Sequence, residues 1–156
     1  MVEIQTFFLA HRIKESKWAL SYDAEAVAIH GISIKPNAKW PINLHLHFFL
    51  QLRRQFVDND EIAKIGMRLL TSDGNVSGTM NPGHFERKIP KGNYYSNTTG
   101  ILNIAIHAEG LYYLEFRILN NPIAPPFHYY FNVWAPPKGH IKKLASEWRK
   151  QPKLKN

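Results

Sequence analysis

The amino-acid sequence predicts an all-β fold, namely an antiparallel β-sandwich of about seven to eight strands followed by a short C-terminal amphipathic helix. Most of the 156 residues alternate between apolar and polar side chains with a period of two, which is typical of half-buried strands. Clusters of Gly, Pro, Asn and Asp recur about every 8–12 residues between the alternating segments and predict turns. No helical pattern separates these segments, so the crossover helices of a parallel sheet are not expected.

The longest alternating segment, residues 42–52, gives the clearest strand. Apolar side chains occupy six successive even-numbered positions: Ile42, Leu44, Leu46, Phe48, Leu50 and Leu52. Because successive side chains of a strand point to opposite faces, we expect this set to face the core. The odd-numbered positions, which include His45, His47 and Phe49, should lie on the outer face of the sheet.

The segment before this strand predicts a first strand over residues 4–10 and a change of phase at Gly31. Apolar residues occupy odd-numbered positions just before Gly31 and even-numbered positions just after it. An extra residue at a glycine changes which side chains face inward, and we therefore expect a β-bulge there.

Four further strands are indicated by apolar side chains at alternate positions. The inward-facing sets are Ile65, Met67 and Leu69; Leu102, Ile104 and Ile106; Tyr112, Leu114, Phe116 and Ile118; and Phe127, Tyr129, Phe131 and Val133. Residues 76–100 contain Gly and Pro and few apolar positions, so we expect loops there with one short edge strand near residues 85–89.

Only the end of the chain has a helical pattern. Apolar side chains follow the spacing i, i+3, i+4 and i+7 at four positions: Ile141, Leu144, Ala145 and Trp148. Pro152 then ends the pattern. The expected organisation is a β-sandwich domain over residues 1–136, followed by a basic amphipathic helix and tail over residues 137–156.

The formal net charge of +8 is concentrated in the predicted tail. Residues 138–156 contain seven Lys or Arg and one Glu, whereas the first 137 residues contain 13 basic and 11 acidic residues. This balance argues against a nucleic-acid-binding surface that covers the whole domain. The tail alone is a candidate nucleic-acid site, through Lys142, Lys143, Trp148, Arg149 and Lys150. A solvated helix whose apolar stripe docks on the sandwich is the alternative interpretation.

The composition and the absent motifs exclude several classes of protein. The chain contains no Cys, which rules out disulfides, Cys-ligated zinc and thiol catalysis. No segment approaches the ~18 consecutive apolar residues that a membrane-spanning helix requires. Residues 1–5 include an acid where a secretory signal carries positive charge, so we expect a cytoplasmic protein. Phosphate-binding loop and serine hydrolase motifs are absent, and no cofactor is predicted.

Residues 109–114, Glu-Gly-Leu-Tyr-Tyr-Leu, resemble the tyrosine corner of immunoglobulin-type sandwiches. That resemblance implies a hydrogen bond from the Tyr112 hydroxyl to the backbone upstream of it. Several features also follow one another along the chain: the glycine-containing strand 26–32, Pro41 before the long strand, the Asp73-Gly74 turn, and Gly110, Tyr112 and Phe116. In this order they resemble an uncharacterised bacterial family of small immunoglobulin-like or C2-like β-sandwich proteins. The resemblance implies a fold and no activity.

His45 and His47 have a spacing that places both imidazoles on the same side of a strand, as in some β-barrel metalloenzymes. Catalytic zinc requires three protein ligands and an open position. No carboxylate follows the pair until Asp58, and the spacing of the other histidines identifies no third ligand. A metal-dependent enzyme at this pair is therefore an alternative, against the simpler interpretation of two solvent-facing histidines.

Aromatic side chains on the outer faces are the main candidates for a functional surface. Phe49, Tyr113, Tyr130 and Trp134 occupy positions opposite to the predicted core. Large aromatic rings supply much of the binding energy in protein interfaces. We therefore expect a binding or adaptor module, not an enzyme, that holds a protein partner or a second copy of itself by a strand edge or these rings. Burial of the rings under the C-terminal helix is the alternative.

Overall fold

A computed structural model describes residues 1–15, 22–27, 29–56, 58–77, 80–81 and 83–135 of the chain. Within these residues the chain forms ten β-strands and no helix. The strands are β1 (Val2–Glu15), β2 (Tyr22–Val27), β3 (Gly31–Ser33), β4 (Ile42–Arg54), β5 (Glu61–Thr71), β6 (Met80–Asn81), β7 (His84–Ile89), β8 (Tyr95–Ile106), β9 (Gly110–Ile118) and β10 (Phe127–Trp134).

The strands form two five-stranded sheets. Sheet A has the strand order β2-β1-β4-β8-β6, and sheet B has the order β3-β10-β9-β5-β7. Neighbouring strands are antiparallel, except that β3 and β10 run parallel. The all-β, two-layer prediction is therefore confirmed, but the described residues contain more strands than expected and include one parallel pair. β6 is too short to produce a detectable alternation in the sequence, and β3 lies within the segment that was predicted as one strand with a bulge at Gly31.

The core lies between the inner faces of the two sheets. Phe7 of sheet A contacts Phe116 and Tyr129 of sheet B, with ring centroids 4.3 and 5.2 Å apart. Phe48 of sheet A lies 5.9 Å from Phe85 of sheet B. The inward-facing side chains predicted from the alternation are buried, and only those near the first residues of β4 and β10 are partly exposed. Apolar burial of this kind is the main favourable contribution to folding.

Gly31 does not form the β-bulge that the sequence predicted, because the chain passes from sheet A to sheet B at this point. The backbone N–H of Ile29 still donates to the carbonyl of Leu9 in β1. The next carbonyl, that of His30, accepts instead from the N–H of Asn132 in β10. The change of phase in the sequence therefore records a change of sheet.

Residues 95–100 are part of a strand, which corrects the prediction of loops over residues 76–100. β8 pairs with β4 along its whole length. The inward-facing residues at the start of β8 are small, because large side chains of neighbouring strands occupy the space above them. The sequence therefore shows no apolar alternation there. A Cβ at Gly100 would lie 2.6 Å from Cε1 of Phe48. The short edge strand expected near residues 85–89 is present as β7.

The tyrosine corner implied by the resemblance is confirmed. Tyr112 is buried, and its hydroxyl donates to the carbonyl of Ala108 at 2.7 Å. This hydrogen bond fixes the turn that precedes β9 against the strand itself, as it does in immunoglobulin-type sandwiches.

The predicted C-terminal helix over residues 137–156 lies outside the described residues, as does its boundary with the sandwich. In the part of the chain that the structure describes, no helix is long and apolar enough to span a membrane.

Candidate functional site

Two tyrosines and a histidine contact one another on the outer face of sheet B. Tyr113 of β9 lies opposite Tyr130 of β10 in the strand register, and their ring centroids are 5.3 Å apart. His128, the preceding outward position of β10, lies 5.1 Å from Tyr113. Tyr130 is 50% exposed. Because these rings restrict one another, they form an apolar surface that is already ordered before any partner binds.

Trp134 extends this surface along β10. Its indole lies over Gly31 of β3, where a Cβ would be 2.7 Å from Cζ3 of the tryptophan. The glycine thus allows the ring to rest on the neighbouring strand, and Trp134 remains 40% exposed. The strand rises about 20 Å between His128 and Trp134. Tyr113, His128, Tyr130 and Trp134 are named the aromatic face below.

A buried carboxylate lies beside the aromatic face. Glu115 of β9 is 6% exposed. Arg68 of β5 lies opposite it in the register and donates to Oε1 through Nη2 and, at 3.0 Å, through Nε. Arg117 donates to Oε1 through Nε at 2.9 Å and to Oε2 through Nη2 at 3.2 Å. Nε2 of His128 is 3.3 Å from Oε2. Arg68, Glu115 and Arg117 are named the arginine–glutamate cluster.

The pKa of Glu115 is lowered to about 2, and the hydrogen bonds from Arg117 are the largest cause. Burial of the carboxylate opposes this change, while hydrogen bonds from Arg68 and His128 reinforce it. Glu115 in turn raises the pKa of Arg117. At neutral pH Glu115 is therefore a fixed negative charge that orients the guanidinium groups of Arg68 and Arg117.

A depression of about 460 Å³ opens next to this cluster. Its lining consists of Gly66, Met67, Arg68, Gly83, His84, Glu115, Arg117 and Leu119. Gly66 has no side chain to fill the space, and Leu119 lies close above it, since a Cβ at Gly66 would be 2.8 Å from Cδ2 of Leu119. The depression is therefore apolar on the Leu119 side and cationic on the side of Arg68 and Arg117.

His45 and His47 lie on the outer face of sheet A, on the opposite layer from the aromatic face. The Nδ1–H of His45 donates to Oδ1 of Asn103 on β8. Among the described residues, no group of three or more His, Asp or Glu side chains is placed to hold a metal ion. This part of the chain thus supplies no third ligand to the histidine pair.

The four aromatic residues that the sequence singled out do not share one surface. Phe49 lies on sheet A, where it is half-buried and stacks on Phe8 with ring centroids 5.1 Å apart. Tyr113, Tyr130 and Trp134 all lie on the outer face of sheet B. A partner that binds the aromatic face would therefore not contact Phe49 at the same time.

The residues predicted for nucleic-acid binding lie outside the described residues. They are Lys142, Lys143, Trp148, Arg149 and Lys150. Binding of nucleic acid by the tail stays a prediction from the sequence.

Sequence reasoning missed the arginine–glutamate cluster. Its three members occupy outward positions of the strands that the alternation predicted, and charged outward positions are ordinary in a solvated sheet. The sequence contained one signal for the cluster. Glu115 and Arg117 are alternate residues of one strand, and an arginine occupies an outward position of another strand. The alternation does not show that β5 and β9 are neighbours, so the contact with Arg68 was not predictable.

The sequence matches no protein-family model and no curated protein. Among solved structures, the periplasmic chaperone SfaE matches with a TM-score of 0.38 and 13% identity, over 71% of this chain and 56% of its own. The E. coli chaperone DraB matches with a TM-score of 0.36 and 12% identity, over 70% and 53%. A family 123 glycoside hydrolase from Clostridium perfringens gives a TM-score of 0.30 and 13% identity, over 69% and 23%.

The chain thus spans about half the length of the two chaperones that it matches. TM-scores of this size support no inference about the function of this chain. The resemblance to an uncharacterised bacterial family likewise stays a prediction.

Proposed function

We propose that this chain is a non-enzymatic protein-binding module that holds its partner on the outer face of sheet B. The observation that carries the proposal is the combination of the aromatic face with two arginines on adjoining strands. Tyr, Trp and Arg are the residues that most often dominate the energy of protein interfaces. On this sheet Tyr130 and Trp134 are about half exposed, and Arg68 and Arg117 continue the same outer face.

The scaffold suits this role because it holds the outward side chains on paired strands. We infer from the tyrosine corner at Tyr112 that the sandwich is immunoglobulin-like. We also propose that a short amphipathic helix follows it, as the sequence predicts. β9 and β10 are paired along Gly110 to Phe116, so the positions of Tyr113 and Tyr130 are fixed by backbone hydrogen bonds. A surface that is ordered in advance loses less conformational entropy on binding.

Replacing both Tyr130 and Trp134 with serine is expected to weaken partner binding at least about tenfold, because truncation of one aromatic hot-spot residue costs about 1–2 kcal/mol or more. Wild-type and variant chains are used to capture partners from nuclease-treated native lysate, with quantification by mass spectrometry. Captured proteins are then titrated in purified form. Tyr94→Ser is the matched control, since Tyr94 is 55% exposed and lies outside the aromatic face.

A partner that the control retains and the double variant loses supports the proposal. Equal capture by the wild-type chain and the double variant contradicts it. Capture that disappears when nuclease is added also contradicts it, because the bound species is then nucleic acid.

Self-association through β8 is a second candidate function. Within the described residues, β8 pairs with β4 on one side along twelve positions but with β6 on the other side at Asn103 and Ile104 alone. Natural edge strands are usually protected by charged side chains, as β7 is by Glu86 and Lys88. β8 carries no charged residue from Tyr95 to Ile106.

The geometry of β8 also directs backbone groups away from β4. Nη2 of Arg87 donates to the carbonyl of Asn97 at 2.8 Å, so this carbonyl points away from β4 and is already paired with a side chain of β7. Because the direction alternates along an antiparallel strand, Thr99 and Ile101 present their backbone groups to the same side. A second copy of β8 is the partner that we infer for this edge.

We expect Ile101→Lys to convert a wild-type dimer into a monomer, since a lysine on an edge strand opposes pairing. Light scattering measures the mass at a protein concentration of about tens of micromolar. A weak dimer of micromolar affinity is populated at this concentration. Ile62→Lys is the matched control, because Ile62 is 48% exposed against 49% for Ile101 but lies on sheet B. A monomeric wild-type mass, or loss of the dimer in both variants, would overturn this candidate.

A further inference from the structure

The arginine–glutamate cluster presents hydrogen-bond donors that pair with no residue in the part of the chain that the structure describes. A guanidinium group has five N–H donors. Arg68 and Arg117 each direct Nε and Nη2 toward Glu115. Their Nη1 groups have no partner among the residues that the structure describes. Both side chains are about half exposed, so these donors are accessible while the buried carboxylate keeps the guanidinium groups oriented.

The charges that line the depression favour an anion with a single negative charge. Two arginines against one glutamate leave one net positive charge when His84 is neutral. A carboxylate neutralises this charge. A dianionic phosphate would leave a net negative charge next to Glu115, which is fixed in its ionised form. The fork geometry of arginine otherwise suits both groups, so the charge balance decides between them.

The shape of the depression favours a ligand with an apolar part. Leu119 is 56% exposed and lies over Gly66, at the next outward position after Arg117, just beyond the end of β9. Met67 also contributes to the lining. A volume of about 460 Å³ accommodates a leucine-sized group together with a carboxylate.

We propose that the depression bounded by Arg68, Arg117 and Leu119 is a binding site for a carboxylate carried on an apolar body. The carboxylate pairs with the free Nη1 donors, and the apolar body packs on Leu119. The inference rests on the proposed function in one respect, namely that the carboxylate belongs to a protein partner. This carboxylate is then an acidic side chain or the chain terminus of the partner, next to the part of the partner that binds the aromatic face.

Nuclear magnetic resonance titration of the full chain at pH 7 and constant ionic strength tests the site. N-acetyl-leucine carries a terminal carboxylate, and N-acetyl-leucyl-glutamic acid α-amide carries a side-chain carboxylate. Both are expected to shift the amide signal of Gly66 and the Nε–H signals of Arg68 and Arg117 in a saturable manner. The tighter of the two identifies the source of the carboxylate. N-acetyl-leucine amide, which has no charge, is expected to leave these signals unchanged.

Arg117→Gln is expected to weaken binding of the carboxylate probes at least about tenfold, as loss of a charge-assisted hydrogen bond does. Arg53→Gln is the matched control, because it removes the same charge from an exposed arginine on sheet A and should leave the affinity unchanged. Arg68→Gln provides a second test of the site. The dispersion of the amide signals shows directly whether each variant is folded.

Three results would overturn the site: equal shifts with the uncharged amide, unchanged affinity in both arginine variants, or tighter binding of inorganic phosphate than of the carboxylates. Failure here and failure of the proposed function are distinguishable. The Tyr130 and Trp134 double variant tests partner binding without altering the cluster, while the small probes test the cluster without a partner.

Discussion

Replacing Arg54 with methionine is expected to lower the free energy of unfolding by about 4 kcal/mol, because three backbone carbonyls lose a charge-assisted hydrogen bond. Arg54 is 1% exposed. Its guanidinium donates to three backbone carbonyls, those of Asn93 at 2.7 Å, Asn59 at 2.5 Å and Pro90 at 2.6 Å. The side chain therefore ties two loops to the end of β4. Methionine fills similar space but leaves all three carbonyls without this donor.

Urea unfolding of Arg54→Met and of the neighbouring Arg53→Met measures the difference. Arg53 is on the outer face of the same strand, where its exposed side chain pairs with Glu3 at 3.7 Å. An exposed ion pair of this kind contributes about 1 kcal/mol or less. Arg54→Lys, which retains the charge but not the planar fork, should give an intermediate loss. Equal losses in Arg53→Met and Arg54→Met would contradict the assigned role.

The position of Arg54 shows both the strength and the limit of the sequence pattern. The even-numbered positions of β4 face the core through Leu52, and the same phase places Arg54 inward. An arginine at an inward position therefore indicates a buried polar anchor. The carbonyls that it contacts lie up to 39 residues away, and periodicity does not identify such distant partners.

Strand pairing is the part of the fold that the sequence did not determine. Alternation predicts which side chains of one strand share a face, but not which strands share a sheet. Phe49 and Tyr130 were both correctly placed at outward positions, and the structure shows them on opposite layers. The phase change at Gly31 was also detected, but a bulge and a crossing between sheets produce the same pattern. Only the hydrogen bonds of His30 and its neighbours distinguish the two.

In the candidate site, too, alternation predicted which side chains face outward but not which of them meet across strands. Tyr113, Tyr130 and Trp134 were selected from their phase, because large aromatic rings at outward positions often supply binding energy in interfaces. Glu115 was not identified, since a carboxylate at an outward position is expected to be solvated. Its burial depends on three long side chains that converge from β5, β9 and β10. That convergence is a property of sheet order.

Glu115→Gln is expected to lower the free energy of unfolding by about 3 kcal/mol at pH 7, with a loss that shrinks in acid. The folded state lowers the pKa of Glu115 from 4.5 to about 2, chiefly through hydrogen bonds from Arg117. A depressed pKa means that the ionised carboxylate stabilises the fold, by about 1.4 kcal/mol for each tenfold change in its acid dissociation constant. This stabilisation is complete above the ordinary pKa and is lost as the pH falls toward the folded-state pKa.

The difference between the wild-type chain and Glu115→Gln should therefore be constant from pH 7 down to about pH 5 and should fall to about half near pH 3. Comparison of the two chains at each pH removes the effect of other carboxylates that titrate in the same range. Glu86→Gln is the control, because Glu86 pairs with Lys64 at 3.4 Å and both side chains are more than half exposed. Its loss should be below about 1 kcal/mol at every pH. If the Glu115→Gln difference stayed the same at pH 3 as at pH 7, Glu115 would not be held ionised by its arginines. The oriented guanidinium groups, on which the carboxylate site depends, would then lose their physical basis.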